Sequence, residues 1–341
     1  MADPSFNLGE EEQLLKPIGH FGKAFCTVAV MLLAMIAWAF YAYSYQFRYG
    51  LSVTGLNRPV YWGVYITNFV FFIGISHAGT LISAILRLTG AEWRRSITRA
   101  AEVITVMVLF FGVASILIDL GRPDRALFVI KHAQLRSPLV WDMISVSIYL
   151  VCSVVYLYLP MIPDLAILRD HAPRFRGFYR VLALGWQGTE RERRRLERII
   201  TFMAILIIPI AVSVHTVVSW VFAMTIQPMW HSTIFGPYFV MGAIFSGIAA
   251  LLIAMFVIRK AYHLKAYLRD VHFNNLGLML LVMSCFWLYF TFAEFLTAFY
   301  GGAPEHMKVF WDKVTGNFSV HFWTMFTACF IIPFTILCCR K

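Results

Sequence analysis

The chain has 341 residues, of which 60% are hydrophobic and only 14% are charged. A soluble globular protein carries about 25% charged residues, so this composition excludes a soluble fold and indicates a polytopic membrane protein. The formal net charge of +11 raises the question of nucleic-acid binding. The distribution of the basic residues along the chain answers it.

Eight stretches are apolar enough to cross a bilayer as helices, which takes roughly 20 residues each. These predicted helices 1 to 8 are residues 24–46, 60–87, 96–119, 139–160, 199–224, 236–258, 271–299 and 319–338. Residues 1–20 are acidic and polar, and they lack the basic and apolar segments of a cleaved signal peptide. We therefore expect an all-α membrane protein, a single transmembrane domain over residues 1–341 whose first helix acts as its own insertion signal.

Lysine and arginine are distributed unevenly between the two sides of this predicted topology. Of the 29, 21 lie at the two termini and after predicted helices 2, 4 and 6, and the other 8 lie after helices 1, 3, 5 and 7. Cytoplasmic loops carry the excess of basic residues, so both termini are predicted to be cytoplasmic. The net charge is therefore a topology signal, and no nucleic-acid partner is expected.

The basic loop 161–198 is the longest polar stretch and holds nine arginines. Thr189 is placed as a helix N-cap ahead of mixed charges, which favours a short surface helix running into predicted helix 5. The loop either contacts anionic lipid or a cytoplasmic partner, or it only sets the topology.

Six cysteines lie in or at the ends of the apolar stretches, and none forms a CxxC, CxxCH or ferredoxin-like motif. Such motifs supply covalent haem sites and iron–sulfur ligands. We therefore predict no haem, iron–sulfur cluster or metal site in this chain, and we expect the cysteines to pack among apolar side chains.

Depth in the membrane follows from sequence position, because a helix rises about 1.5 Å per residue. On this count five ionisable residues of the helices lie toward the outer face: Asp119, Asp142, His215, Glu294 and His321. The turn 122–125 lies in the adjoining outer loop, and His77 lies in the cytoplasmic half of predicted helix 2. If helices 2 to 5 pack as neighbours, the outer residues form a polar pocket with aromatic walls, as a quinone requires.

Several of these residues are open to more than one interpretation. Asp119 with Arg122 or Arg125 is equally explained as an ion pair at a helix end. Glu294 is interpreted as a proton-handling carboxylate because charged groups inside a membrane are costly. His77 either lines a proton path with Ser76 and Thr80 or hydrogen-bonds a neighbouring helix.

Three segments together resemble the NrfD/PsrC-like membrane subunits. They are residues 57–80, with Trp62-Gly-Val-Tyr-Ile and Ser76-His-Ala-Gly-Thr, the Asp-Leu-Gly-Arg-Pro-Asp-Arg segment 119–125, and residues 137–142. The first segment is most similar to the first NrfD-like, quinol-binding subunit of bacterial alternative complex III. Proteins of that kind extend past eight helices, which leaves other NrfD-like reductase anchors open, of polysulfide, nitrite or hydrogenase type.

The resemblance implies a menaquinol or ubiquinol pocket that opens toward the periplasm of a bacterial inner membrane. Its implied partners are an iron–sulfur or molybdopterin-like periplasmic subunit, a second NrfD-like membrane subunit and c-type cytochrome subunits. Activity is expected of the assembled complex rather than of this chain alone. The candidate pocket residues are His77, Asp119, Arg122, Asp124 and Asp142, with Asp142, His77 and Asp124 as the catalytic candidates. Glu294, His215, Ser76 and Thr80 are the candidates for a proton path, because the resemblance also suggests proton translocation.

Three other functions compete with quinol oxidation. A b-haem cytochrome with His77 and His215 as axial ligands needs both imidazoles at one depth, whereas their positions predict a separation of roughly 9 Å. A Soret band would reveal such a haem. A transporter is disfavoured because its broken helices come in matching halves, which are not seen here. A purely structural anchor would tolerate any pocket substitution that preserves assembly.

Overall fold

The computed structural model describes residues 22–57, 62–171 and 175–339, apart from the side chain of Arg95. The acidic segment 1–20 lies outside the described residues. Within them, eight helices are long and apolar enough to cross a membrane. We label them α1 Lys23–Tyr49, α2 Val64–Leu88, α3 Thr98–Asp119, α4 Pro138–His171, α5 Glu190–Ala223, α6 Phe235–Ala261, α7 Asp270–Gly301 and α8 Ser319–Cys338. The prediction of an all-α bundle with eight spans is confirmed.

The two ends of the bundle differ in charge. We call the end with the connection between α4 and α5 the arginine-rich end. We call the other end, which carries the connection between α3 and α4 (residues 120–137), the opposite end. Among the described residues, three short α-helices lie outside the spans: Phe128–Lys131, Arg176–Leu182 and Pro304–Val314.

Helix α2 lies at the centre of the bundle. It packs against α3, α5 and α6, while α4 closes the group by packing on α3 and α5. In its most apolar stretch 78% of the residues are buried, against none in α1 and α8. Helices α7 and α8 follow outward from α6. Ser76, His77, Thr80 and Ser83 of α2 are therefore placed inside protein and not against lipid.

Two glycines permit this close packing of α2. A Cβ on Gly79 would lie 2.6 Å from the Ala101 carbonyl oxygen of α3 and would also collide with Thr105. A Cβ on Gly247 of α6 would collide with the Ala78 side chain of α2. Small residues let membrane helices approach closely enough for dispersion contacts to hold them together.

The predicted polar loop 161–198 is wrong in its extent. Helix α4 continues to His171, through Pro160 and Pro163, and α5 begins at Glu190. The predicted N-cap is confirmed: Thr189 Oγ1 accepts a hydrogen bond from the Glu192 amide, and the Glu192 carboxylate accepts one from the Thr189 amide. This reciprocal pair satisfies amides that a helix start leaves without partners, so charged residues extend α5 instead of ending it.

Candidate functional site

A cavity of about 760 Å³ lies at the opposite end, between α1, the start of α2 and the end of α3. Its walls are rich in aromatic rings, including Trp38, Tyr41, Tyr45 and Tyr65. The buried Gln46 side chain donates to the Ile118 carbonyl oxygen at 3.1 Å and accepts from the Tyr65 hydroxyl at 2.5 Å. The cavity thus combines apolar walls with a few oriented polar groups, the usual makeup of a small-molecule site.

Asp119 and Asp142 both carry a buried carboxylate oxygen at this end of the bundle. In each, Oδ1 is shielded from solvent and has no hydrogen-bond partner among the described residues. Asp119 ends α3, directly after the cavity-lining Ile118, and its charge acts on the Tyr65 hydroxyl. A buried polar atom without a partner costs free energy, so in each acid this oxygen lacks a stabilising contact from the residues that the structure describes.

Arg122 and Asp124 are exposed and bind each other. The guanidinium donates two hydrogen bonds to the carboxylate, at 3.1 and 3.2 Å. These hydrogen bonds hold the pKa of Asp124 below its usual value and raise the pKa of Arg122. Arg122 therefore pairs with Asp124 and not with Asp119. The alternative of an Asp119–Arg122 ion pair at the end of the helix is not found.

His77 and His215 meet in the centre of the bundle, with ring centroids 3.8 Å apart and no exposed surface. The predicted separation of roughly 9 Å between them is wrong. Both nitrogens of His215 lie 3.0 Å from backbone carbonyl oxygens, of Ala211 and Ile73, while neither nitrogen of His77 finds a partner in the described part of the chain. The rings are in direct contact, so a porphyrin would fit between them only if α2 and α5 moved apart.

The depth estimate counted residues from the predicted cytoplasmic ends of the two helices, residue 87 of α2 and residue 199 of α5. It failed because these two residues do not lie at the same depth. Ala84 of α2 and Ile207 of α5 belong to one buried cluster, and they lie 7 and 8 residues from their respective histidines. Arg87 reaches Glu197 at 3.0 Å across the same interface. Counting residues from apparent loop boundaries ignores such an offset between packed helices.

A hydrogen-bonded cluster lies beside the histidine pair, on the side of the arginine-rich end. The edge of the His215 ring faces Tyr149, whose centroid lies 6.3 Å away. The Tyr149 hydroxyl lies 3.0 Å from both the Ser76 carbonyl oxygen and Thr80 Oγ1, and Thr105 also donates to Ser76. These five side chains or backbone groups are all buried.

A second buried cluster lies one helical turn further along, about 5.4 Å. Ser83 donates to Glu102 at 2.6 Å and lies 3.2 Å from the Tyr156 hydroxyl. Glu102 is 2% exposed, and Arg99 lies 3.5 Å from its other oxygen. Arg99 in turn pairs with Asp164, which is half-exposed. We call this series, from His77 and His215 to Asp164, the buried polar file.

Glu294 lies apart from the buried polar file. It accepts a hydrogen bond from Ser232 and lines a separate cavity between α6, α7 and α8. Among the sequence-predicted proton-path residues, the structure therefore brings Ser76, Thr80 and His215 together. It places Glu294 in a different surrounding.

Sequence reasoning missed several members of these sites. Tyr149, Ser153 and Tyr156 are spaced i, i+4, i+7, which places them on one face of α4. Thr98 and Thr105 flank Glu102 with the same spacing on α3, and Gln46 is an isolated amide in an apolar helix. These patterns were visible signals of polar helix faces turned toward one another.

Comparisons with known proteins agree with this architecture. The family model described as polysulphide reductase, NrfD, matches residues 52–340. The chain is 29% identical over 317 residues to a putative membrane subunit of a dimethyl sulfoxide reductase from Halobacterium salinarum. It is 25% identical to a selenate reductase subunit of Mesobacillus selenatarsenatis, and 24% identical to an Hdr-like menaquinol oxidoreductase integral membrane subunit of Archaeoglobus fulgidus.

These alignments cover 91%, 80% and 66% of this chain, and 68%, 65% and 49% of the respective relatives. The chain thus spans between half and two thirds of the length of the curated relatives it matches. The family model covers far more than half of the chain, including nearly all of the segments on which the sequence resemblance rested. The chain is therefore a multi-pass membrane protein that belongs to the NrfD family.

Proposed function

We propose that the chain is the quinone-reactive membrane subunit of a multisubunit oxidoreductase, with its site at the opposite end of the bundle. The observation that carries the proposal is the aromatic-walled cavity beside Asp119, where the Gln46 and Tyr65 side chains are already oriented by a mutual hydrogen bond. It supplies apolar surface for a ring and tail, together with polar groups for ring oxygens.

The residues present fit a quinone or quinol. Asp119 and Asp142 each keep a buried oxygen without a partner in the described part of the chain, and the Tyr65 hydroxyl and Gln46 amide lie at the cavity wall. A carboxylate oxygen that lacks such a partner would be available to accept a ligand hydroxyl proton. The Arg122–Asp124 pair, being exposed, would act by fixing the turn after α3.

A bound quinol supplies two electrons and two protons when it is oxidised. Asp119 and Asp142 would each hold a proton at their free carboxylate oxygen, and Gln46 and Tyr65 would orient the ring oxygens. The aromatic side chains of α1 would exclude water from the apolar part of the cavity. No electron acceptor is proposed for this chain itself, so the electrons would pass to an iron–sulfur partner subunit.

The relatives support this class of function. Two are named as subunits of reductases, and a third is named as a menaquinol oxidoreductase subunit. Within this class we retain the narrower proposal of a subunit of alternative complex III, with a second NrfD-like subunit and c-type cytochromes as partners. The positive-inside rule would place both termini in the cytoplasm and this cavity at the periplasmic face of an inner membrane, where the quinol would be oxidised.

The buried polar file supports proton translocation as a second part of the proposal. It connects the histidine pair at the centre with Glu102 and the half-exposed Asp164 at the arginine-rich end. Thr105 and Glu102 lie about one helical turn apart on α3, and one ordered water would bridge this gap. Protons would enter or leave the cytoplasmic side along this file while quinol chemistry proceeds at the opposite end.

The test is quinol turnover by the assembled complex. Asp119→Asn and Asp142→Asn are each expected to lower turnover roughly tenfold or more, because positioned proton acceptors contribute at least that factor. Glu305→Gln removes an exposed carboxylate at the same end and should leave turnover unchanged. Normal turnover of both aspartate variants would contradict the proposed site and favour a structural anchor.

A further inference from the structure

A second cavity, of about 530 Å³, lies between α6, α7, α8 and the short helix Pro304–Val314. Phe295, Phe322, Trp230 and Met325 are among the side chains that form its walls. The volume lies within the range of about 300 to 1,000 Å³ that is typical of small-molecule sites. None of its lining residues belongs to the first cavity, so the two can be occupied at the same time.

Glu294 is the buried polar group of this cavity. Glu294 is only 6% exposed, and no other residue of α7 within two turns of it carries a charge. Ser232 donates a hydrogen bond to one of its carboxylate oxygens. A carboxylate in a membrane helix is costly and is usually retained for a ligand, an ion or a proton.

Lys313 lines the same cavity. Its ammonium group lies 5.8 Å from the centre of the Phe295 ring, within the range of a cation–π contact. Burial lowers the pKa of Lys313, an effect that the charge of Glu294 opposes. The cavity therefore presents a hydrogen-bond donor from Lys313 and an acceptor from Glu294 among aromatic rings.

The charged residues of the cavity limit the class of ligand that can bind there. Glu294 and Asp312 both line the cavity and oppose an anion, whereas Lys313 opposes a cation. A lipid acyl chain would exclude water from Glu294 and Lys313 without forming hydrogen bonds to them, which is unfavourable in free energy. A neutral, flat ring with oxygens that accept from Lys313 and donate to Glu294 satisfies both groups and the aromatic walls.

We propose that this cavity is a second binding site for a quinone or quinol ring, held by Glu294 and Lys313. The class of ligand rests on the proposed function, but the site does not, because it shares no residue with the first cavity. The second site would hold a quinone pool molecule on the far side of α2 from the first site.

The experiment uses the assembled complex in lipid nanodiscs and a photoreactive azidoquinone, with the cross-linked peptides mapped by mass spectrometry. Label is expected in residues 294–325, from the second cavity, and in residues 38–65, from the first. Glu294→Gln and Lys313→Met should each lower labelling of 294–325 roughly tenfold, the effect of losing one hydrogen bond to a charged group. Lys308→Met, an exposed residue of the same short helix outside the cavity lining, is the matched control.

Labelling of residues 38–65 in the same sample shows whether a variant is folded and assembled. Label in 38–65 without label in 294–325 would overturn the second site and leave the proposed function standing. Label in 294–325 that persists in both variants would overturn the assigned binding groups. Absence of label from both regions in the unaltered complex would overturn the quinone class, and the proposed function with it.

Discussion

The two halves of the bundle each bury a glutamate, but they surround it differently. In the group α2 to α5, Glu102 is held by Ser83 and Arg99 and lies close to further buried polar groups. In the group α6 to α8, Glu294 has Ser232 as a partner and otherwise faces an open cavity. The first half therefore contains two neighbouring clusters of buried polar groups, and the second contains a pocket.

This difference shows that a buried charge has no function apart from its surroundings. A carboxylate connected to hydroxyls and a half-exposed partner can exchange protons along the chain. A carboxylate beside an empty volume can bind a ligand instead. Helix α2 contributes to the first arrangement, because Thr80 and Ser83 form hydrogen bonds with side chains of α3 and α4.

The largest expected effect concerns the tight packing of the first half. Gly79→Ala should destabilise the bundle by about 1 to 3 kcal/mol, because overpacking forces α2 and α3 apart. Gly242→Ala in α6 is the matched control, since a Cβ there meets nothing within 4 Å. Thermal unfolding of both variants in detergent measures the difference. Equal stability would show that the α2–α3 contact is looser than described.

Glu102→Gln should act on proton movement with little effect on folding. The amide keeps the hydrogen bond with Ser83 but holds no proton in exchange, so proton uptake per electron should fall roughly tenfold in proteoliposomes. Glu190→Gln, an exposed carboxylate at the same end, is the control. An unchanged proton-to-electron ratio in Glu102→Gln would remove the file from the proposed route.

Ser83→Ala should have a smaller effect of the same kind. It deletes one hydrogen bond to Glu102 and leaves the carboxylate in place, so we expect proton uptake to fall roughly threefold. Thr297→Ala in α7 removes a hydroxyl that bonds only its own helix and should change nothing. If both variants behaved alike, the contrast between the two halves would be lost.

The fold was largely predictable because bilayer thickness imposes a length on each span. Hydrophobicity located all eight helices, and the N-cap at Thr189 was recognised from its side chain and the mixed charges that follow it. The helical extension of α4 to His171 was not predictable, since a charged, proline-containing segment beyond the membrane is typical of a loop. Tertiary packing and surface ion pairs decide such segments.

The candidate site was predictable only in part. Single residues such as His77, Ser76 and Thr80 were identified because polar groups are rare in apolar helices. The side chains that they contact depend on how far the packed helices are shifted along one another, and the sequence does not give this shift. The contact between His77 and His215 was therefore not predicted. The self-paired Arg122 and Asp124 likewise show that closely spaced charges can satisfy one another at the surface.

The central claim is that a quinone ring binds at the opposite end, in the cavity between α1, α2 and α3. The most direct measurement is an experimental structure of the assembled complex with a quinone-site inhibitor that blocks turnover. The account predicts inhibitor density within hydrogen-bonding distance of Gln46, Tyr65 or Asp119. Density confined to the α6–α8 cavity, with none beside Asp119, would contradict it.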